Sequence, residues 1–194
     1  MSIEQINQLQ KLDFTKQLTF AYLTCERLYP NYVYFSENFH FGDSSVIRKA
    51  IDFLYNSIFE YHFNKKNIEV LIKRIDDVTP DTEDFSTIYV SSALDACTSV
   101  RDSLDFLIDK DFSRITYISS YAYDTVDMYV REIENINLSE NFEQRVAMHP
   151  LMKKEILTQQ GIVTFLTQSG NIDAGDIDTL LHLQKNEGKS NIKI

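Results

Sequence analysis

The sequence predicts an all-α fold, a single-domain globular bundle of about seven to nine helices over residues 1–194 with a short polar tail at 188–194. Three observations predict it. Apolar side chains step by alternating fours and threes in five separate segments, the spacing that draws a stripe down one side of an α-helix. Only 5 Gly and 3 Pro punctuate the 194 residues, so the connections between helices are short. With 43% hydrophobic and 12% aromatic residues the chain can bury a substantial core, and its length suits one domain better than two.

Taken in order, an opening helix is expected over Ile3 to Leu12, and Asp13 then caps a second by accepting from a free backbone N–H. The second carries Phe14, Leu18, Ala21, Cys25 and Leu28 on one side and is expected to stop at Pro30, with Asn31 in the turn. Tyr32 to Phe39 reads as a brief aromatic helix. Phe41-Gly42-Asp43 reads as a turn in which Gly tolerates a positive φ and Asp caps the helix after it. That helix runs from about Ser44 to Tyr61 on the stripe Ile47, Ile51, Leu54, Ile58 and Tyr61. A shorter one, Asn67 to Val78, turns Ile68, Leu71, Ile72 and Ile75 inward and ends at Thr79-Pro80-Asp81.

An acidic loop, Thr82 to Ser86, leads into the segment around which the chain is organised, Ile88 to Ile108. Ala93, Cys97, Val100, Leu104 and Leu107 form its stripe, and Asp95, Asp102, Asp105 and Asp109 fall largely off it, as in a helix packed on one side and wet on the other. The following helix carries Ile115, Ser119, Ala122, Val126, Tyr129 and Ile133 and ends near Asn135, its small Ser119 and Ala122 allowing a neighbour to approach closely. Leu138 to Met148 is a short helix or irregular. Pro150 suits the first turn of a helix striped by Met152, Ile156, Val163 and Leu166, in which Gly161 permits close packing or marks a bend. Asp173 or Asp176 caps a last helix through Leu180, Leu181 and Leu183, ending near Gly188.

With 19 Lys plus Arg against 29 Asp plus Glu, the formal charge of −10 opposes a broad grip on phosphate backbones or anionic lipid, so neither nucleic acid nor membrane is an expected partner. The densest basic cluster, Lys65, Lys66, Lys73 and Arg74, is interrupted by Glu69, Asp76 and Asp77. No stretch approaches the ~20 apolar residues of a spanning helix, and no secretory signal opens the chain, which implies a soluble cytoplasmic protein. Cys25 and Cys97 stand 72 positions apart without a CxxC pair, so both are expected as reduced thiols buried mid-stripe.

Cys25-Glu26-Arg27-Leu28-Tyr29-Pro30-Asn31-Tyr32, followed by Phe35 and Phe41-Gly42-Asp43, resembles the YjaG-like family of bacterial proteins, domain of unknown function 416. Ala93-Leu94-Asp95-Ala96-Cys97 looks like that family's second signature and Ser190-Asn191-Ile192 its terminal one, so the resemblance spans essentially the whole chain. It departs from the pattern in having no Trp, and in placing Ser91-Ser92 where a Tyr-Pro step is familiar. The resemblance implies a compact multihelical fold and carries no reaction. It marks Cys25, Pro30, Asn31, Tyr32, Gly42, Cys97 and Asn191 as signature positions.

Within those signatures Glu26, Arg27, Asp43 and Asp95 are the candidate ligand-binding residues, a polar cluster at one end of the bundle or else a salt-bridge network fixing helix ends. Arg27 is expected to engage Glu26, Asp43 or Asp95. His40, His62, His149 and His182 have neither HxxxH nor ExxH spacing, and the five glycines form neither GxGxxG nor a Walker loop, so no metal and no cofactor is expected. Tyr117, Tyr121, Tyr123 and Tyr129 offer an aromatic surface to a partner or pack inward. Two functions of different classes fit these residues. One is a non-enzymatic interaction or scaffold protein, a homodimer or the ligand of another protein. The other is a small-molecule-binding protein or enzyme built on Glu26, Arg27, Asp43 and Asp95 near Cys25 and Cys97.

Overall fold

The computed structural model describes residues 2–60, 63–136, 141–184 and 189–194. Among them lie nine α-helices: α1 (Ile3–Gln10), α2 (Phe14–Phe39), α3 (Ser44–Phe59), α4 (Lys65–Val78), α5 (Tyr89–Asp109), α6 (Phe112–Ile133), α7 (Phe142–Met148), α8 (Pro150–Gln168) and α9 (Ala174–Gln184), with one 3-10 turn at Thr82–Asp84. Tyr61, His62, Leu138 and Gly188, to which the sequence assigned places, lie outside the described residues.

α2 and α5 form the centre and run antiparallel: Phe14 stacks on Phe106 at one end, with ring centroids 5.2 Å apart, and Tyr34 packs on Tyr89 at the other at 4.8 Å. Around this pair α3 and α6 pack on both central helices, α4 packs on α5, α8 on α6, and α9 on α2 and α8. The main core is continuous from Leu9 to Leu180. A second cluster, Val126, Val130, Ile136, Val146, Leu151, Met152 and Ile192, sits where α6, α7 and α8 meet the end of the chain.

Local chemistry fixes most helix starts. Asp13, Asp43, Asn64 and Asp111 each accept a backbone N–H from the first turn of the helix they precede, removing one of the donors a helix leaves unpaired there. Pro150 occupies the first turn of α8, as expected.

One expectation fails here. Pro30 does not end the second helix: α2 continues from Phe14 through Pro30 to Phe39, so Tyr32 to Phe39 is its last part and no separate helix. A mid-helix proline forfeits one backbone hydrogen bond at a cost of about 3 kcal/mol. Burial of Leu28, Tyr32 and Phe35 on either side of it outweighs that loss. The short polar end of the chain is packed against the fold. Ser190, Asn191 and Ile192 are buried, and the Ser190 hydroxyl accepts from the backbone N–H groups of Ile192 and Ile194.

Candidate functional site

Glu26 and Arg27 are neighbours on α2, about 100° apart around its axis, and they face different surroundings. Glu26, half-buried, accepts from both terminal nitrogens of Arg48 on α3 at 2.9 and 2.7 Å. Arg48 also donates from Nε to Asp52 at 2.8 Å, and its guanidinium lies 5.2 Å from the centre of the Tyr29 ring. Burial holds the nearby Tyr22 phenol well above its ordinary range, and the Glu26 charge adds to the effect.

Arg27 points into the core. Its Nε and Nη2 donate to the two oxygens of Glu155 on α8 at 3.1 and 2.9 Å, and Nη1 donates to Gln184 Oε1 on α9 at 2.8 Å. Gln184 in turn donates to the Leu23 carbonyl, and Gln159 donates to both Glu155 and the Ser119 carbonyl while accepting from the Ser119 hydroxyl. The result is a buried network joining α2, α6, α8 and α9. The charges of Arg27 and Glu155 neutralise each other, which is the condition for burying such groups.

Asp43 is the N-cap of α3. It accepts from the Ser45 backbone N–H at 2.8 Å, and hydrogen bonds from Ser45 hold its carboxyl below the usual range. Asp95, on α5, accepts from the Thr125 hydroxyl at 2.7 Å; burial pushes its pKa up to about 7, and the nearby Asp124 pushes the same way. Glu26, Arg27, Asp43 and Asp95 are therefore distributed among four separate sets of partners and form no common cluster. Arg27 engages none of the three carboxylates expected for it, because the inward face of α2 at that position looks onto α8 and α9.

The signature residues serve packing and turns. Gly42 has φ +69°, and a Cβ there would run into the Tyr32 hydroxyl, which donates to the Val78 carbonyl at 2.7 Å. Asn31 donates to Asn191, and Asn191 donates to the Ala122 carbonyl, which ties the chain's last residues to α2 and α6. Cys25 and Cys97 are free and buried, as expected, and burial pushes both thiols up to about 12. Cys25 sits 3.3 Å from the Ser103 hydroxyl on α5, whereas Thr79 at the end of α4 hydrogen-bonds Cys97, so the two thiols have different neighbours.

Asp102, expected on the wet side of its helix, is instead buried, because partners on α6 cover it. It accepts from Arg114 at 2.8 Å and from the Tyr121 hydroxyl at 2.9 Å. Of the tyrosine run, Tyr117 is half-exposed and Tyr129 packs on the second core cluster. No group of three or more His, Cys, Asp or Glu is placed to hold a metal ion among the described residues.

The concave surfaces lie elsewhere. A cleft of about 450 Å³ opens beside the start of α2, lined by Phe14, Lys16, Phe59 and Asn171, and Lys16 there donates to the Ser169 carbonyl at 2.7 Å. A groove of about 380 Å³ runs between α8 and α9, lined by Lys153, Lys154, Leu157, Gly161, Ile162 and Leu183 among others. Leu157 and Leu183 are each 65% exposed, and a Cβ built on Gly161 would meet nothing within 4 Å. Large apolar side chains bordering an open groove can bind another apolar surface, and they offer no reacting group.

A family model described as "Protein of unknown function (DUF416)" matches residues 4–194. The chain is 26% identical over 193 residues to the uncharacterized protein YjaG of Escherichia coli, covering 96% of this chain and 94% of that one. It is 25% identical over 194 residues to an uncharacterized protein of Haemophilus influenzae, with the same shares covered. A crystal structure of a DUF416 family protein from Shewanella baltica superposes with a TM-score of 0.88 at 29% identity, over 100% of this chain and 98% of that one.

Proposed function

Because this chain belongs to the DUF416 family, whose description names no reaction, we propose from its geometry that it is a non-enzymatic cytoplasmic interaction protein that works through the outer surface of α8 and α9. The observation that carries the reading is the pair Leu157 and Leu183, each about two-thirds exposed on one groove. Exposing two leucines on one groove costs solvation free energy that a partner surface would recover, at roughly 25 cal/mol for each Å² covered. The polar residues support the same reading. Arg27 is neutralised by Glu155 and Glu26 by Arg48, and both thiols are held in the unreactive protonated form by burial. No helix of the described residues is long and apolar enough to cross a membrane.

Photo-crosslinking tests the proposal. A photoreactive phenylalanine derivative at Leu183 should give discrete covalent protein adducts in bacterial cells, whereas the same group at Val70, half-exposed on α4, should not give them. Identical adduct patterns from both positions, or none from Leu183, would overturn the reading.

A further inference from the structure

The geometry points to a second copy of this chain as the occupant of the α8/α9 groove: we infer a two-fold dimer in which two α8 helices cross antiparallel and Leu157 of each copy seats over Gly161 of the other. The inference rests on the interaction reading above and commits it to one partner.

Shape argues for a copy of the same surface. Leu157 and Gly161 are four residues apart on α8, so they lie on one face about one turn, or ~6 Å, apart. Leu157 projects at 65% exposure, whereas over Gly161 the surface is open and bordered by Ile162 and Leu183. A projection and a hollow one turn apart on the same face are self-complementary. A two-fold axis passing between them carries each projection into the other copy's hollow, the condition for a closed isologous interface.

Charge argues the same way. Residues 169–173 join α8 to α9, so the two helices run antiparallel along the groove. Lys153 and Lys154, both exposed, therefore line the end of the groove near the start of α8, and the start of α9, where the Asp173 and Asp176 carboxylates each accept the other's backbone N–H, lies beyond its other end. The two-fold operation reverses the ends and brings the lysines of each copy to the acidic end of the other. For a chain of net charge −10 this matters, because two copies repel one another broadly and only a face carrying both signs offsets that repulsion. A purely acidic amphipathic helix would satisfy the lysines and leave the acidic end opposed.

Sedimentation velocity on the full chain, over concentrations up to about 100 μM, reads the outcome directly. The wild-type chain should reach the dimer mass, and both Leu157→Asp and Gly161→Leu should weaken dimerisation about tenfold or more. Gly161→Leu guards against a trivial explanation: it fills the hollow yet improves helix propensity at an open position, so at a concentration low enough for both chains to be monomeric its thermal midpoint should equal or exceed that of the wild-type chain, while at higher concentration the dimer is lost. A monomer at all concentrations, or a dimer untouched by both substitutions, would overturn the inference. If that monomer still gives Leu183 adducts with a different protein, the second-copy inference falls and the interaction reading stands; if no adduct forms, both fall.

Discussion

Glu26 and Arg27 are consecutive in sequence and form the same kind of two-pronged carboxylate–guanidinium pair in opposite surroundings. The Glu26–Arg48 side chains are 19% and 30% exposed, whereas those of Arg27–Glu155 are 3% and 1% exposed. Water beside the first pair solvates each charge when the other is removed and screens their attraction. The second pair has no such reserve: each charge has given up its hydration, and Gln184 and Gln159 supply the remaining hydrogen bonds. Similar geometry therefore implies different consequences. The outer pair adds modestly to the contact between α2 and α3, and the inner pair fixes how α2, α8 and α9 fit together, including the α8 face proposed to dimerise.

The largest expected effect breaks the inner pair. Arg27→Ala should destabilise the fold by about 3–5 kcal/mol, because it strands the Glu155 charge in the core. Replacing both partners at once, Arg27→Met with Glu155→Leu, should recover most of that loss, since neither charge then remains to be stranded. Urea denaturation of the two single variants and the double variant checks this. Equal losses in Arg27→Ala and the double variant would mean that packing, and not the stranded charge, sets the cost.

Asp95 supplies a third state for the comparison, a carboxylate shielded from water beside a hydroxyl instead of a cation. Its pKa of about 7 in the folded chain lies above the ordinary 3.8, so the folded state holds the proton more tightly than the unfolded state does. Its contribution is therefore complete below the unfolded value and is lost as pH rises from about 4 through about 7. Asp95→Asn cannot ionise, so it should match the wild-type chain near pH 4 and exceed it by roughly 4 kcal/mol at pH 8, since each tenfold difference in proton affinity between the folded and unfolded states is worth about 1.4 kcal/mol. Thermal midpoints at the two pH values decide it. A constant difference would show that Asp95 ionises normally.

The helices were legible in the sequence because their apolar stripes repeat, and the Asp13 and Asp43 caps because short acceptors precede those stripes. Pro30 was misread because local propensity says nothing of the burial on both sides of it. The inner pair escaped for a related reason. The true inward line of α8 is Met152, Glu155, Gln159, Ile162 and Leu166, stepping by three and four through two polar residues. A reading that follows apolar residues alone passes to Ile156 and leaves Glu155 on the outside. Arg27 itself was recognisable as a cation on a heavily covered helix in need of an acceptor. The acceptor stands 128 positions away, and no local pattern points to it.

The smallest expected effect sharpens the comparison most. Arg48→Ala should cost about 1 kcal/mol or less, because Glu26 can be rehydrated where it stands, 19% exposed, once the guanidinium is gone. A double-mutant cycle with Glu26→Gln isolates the coupling within the pair from the contact Arg48 also makes with Asp52. That coupling should shrink as salt is raised to about 1 M, where charges are screened beyond roughly 3 Å. The Arg27–Glu155 coupling should change far less, since ions do not enter a site 1–3% exposed. If both couplings fell in parallel, salt would be reaching the inner network, and burial would no longer account for the difference between the two pairs. If neither fell, the Tyr22 and Tyr29 rings around the outer pair would be shielding it from solvent, and it would belong energetically with the core.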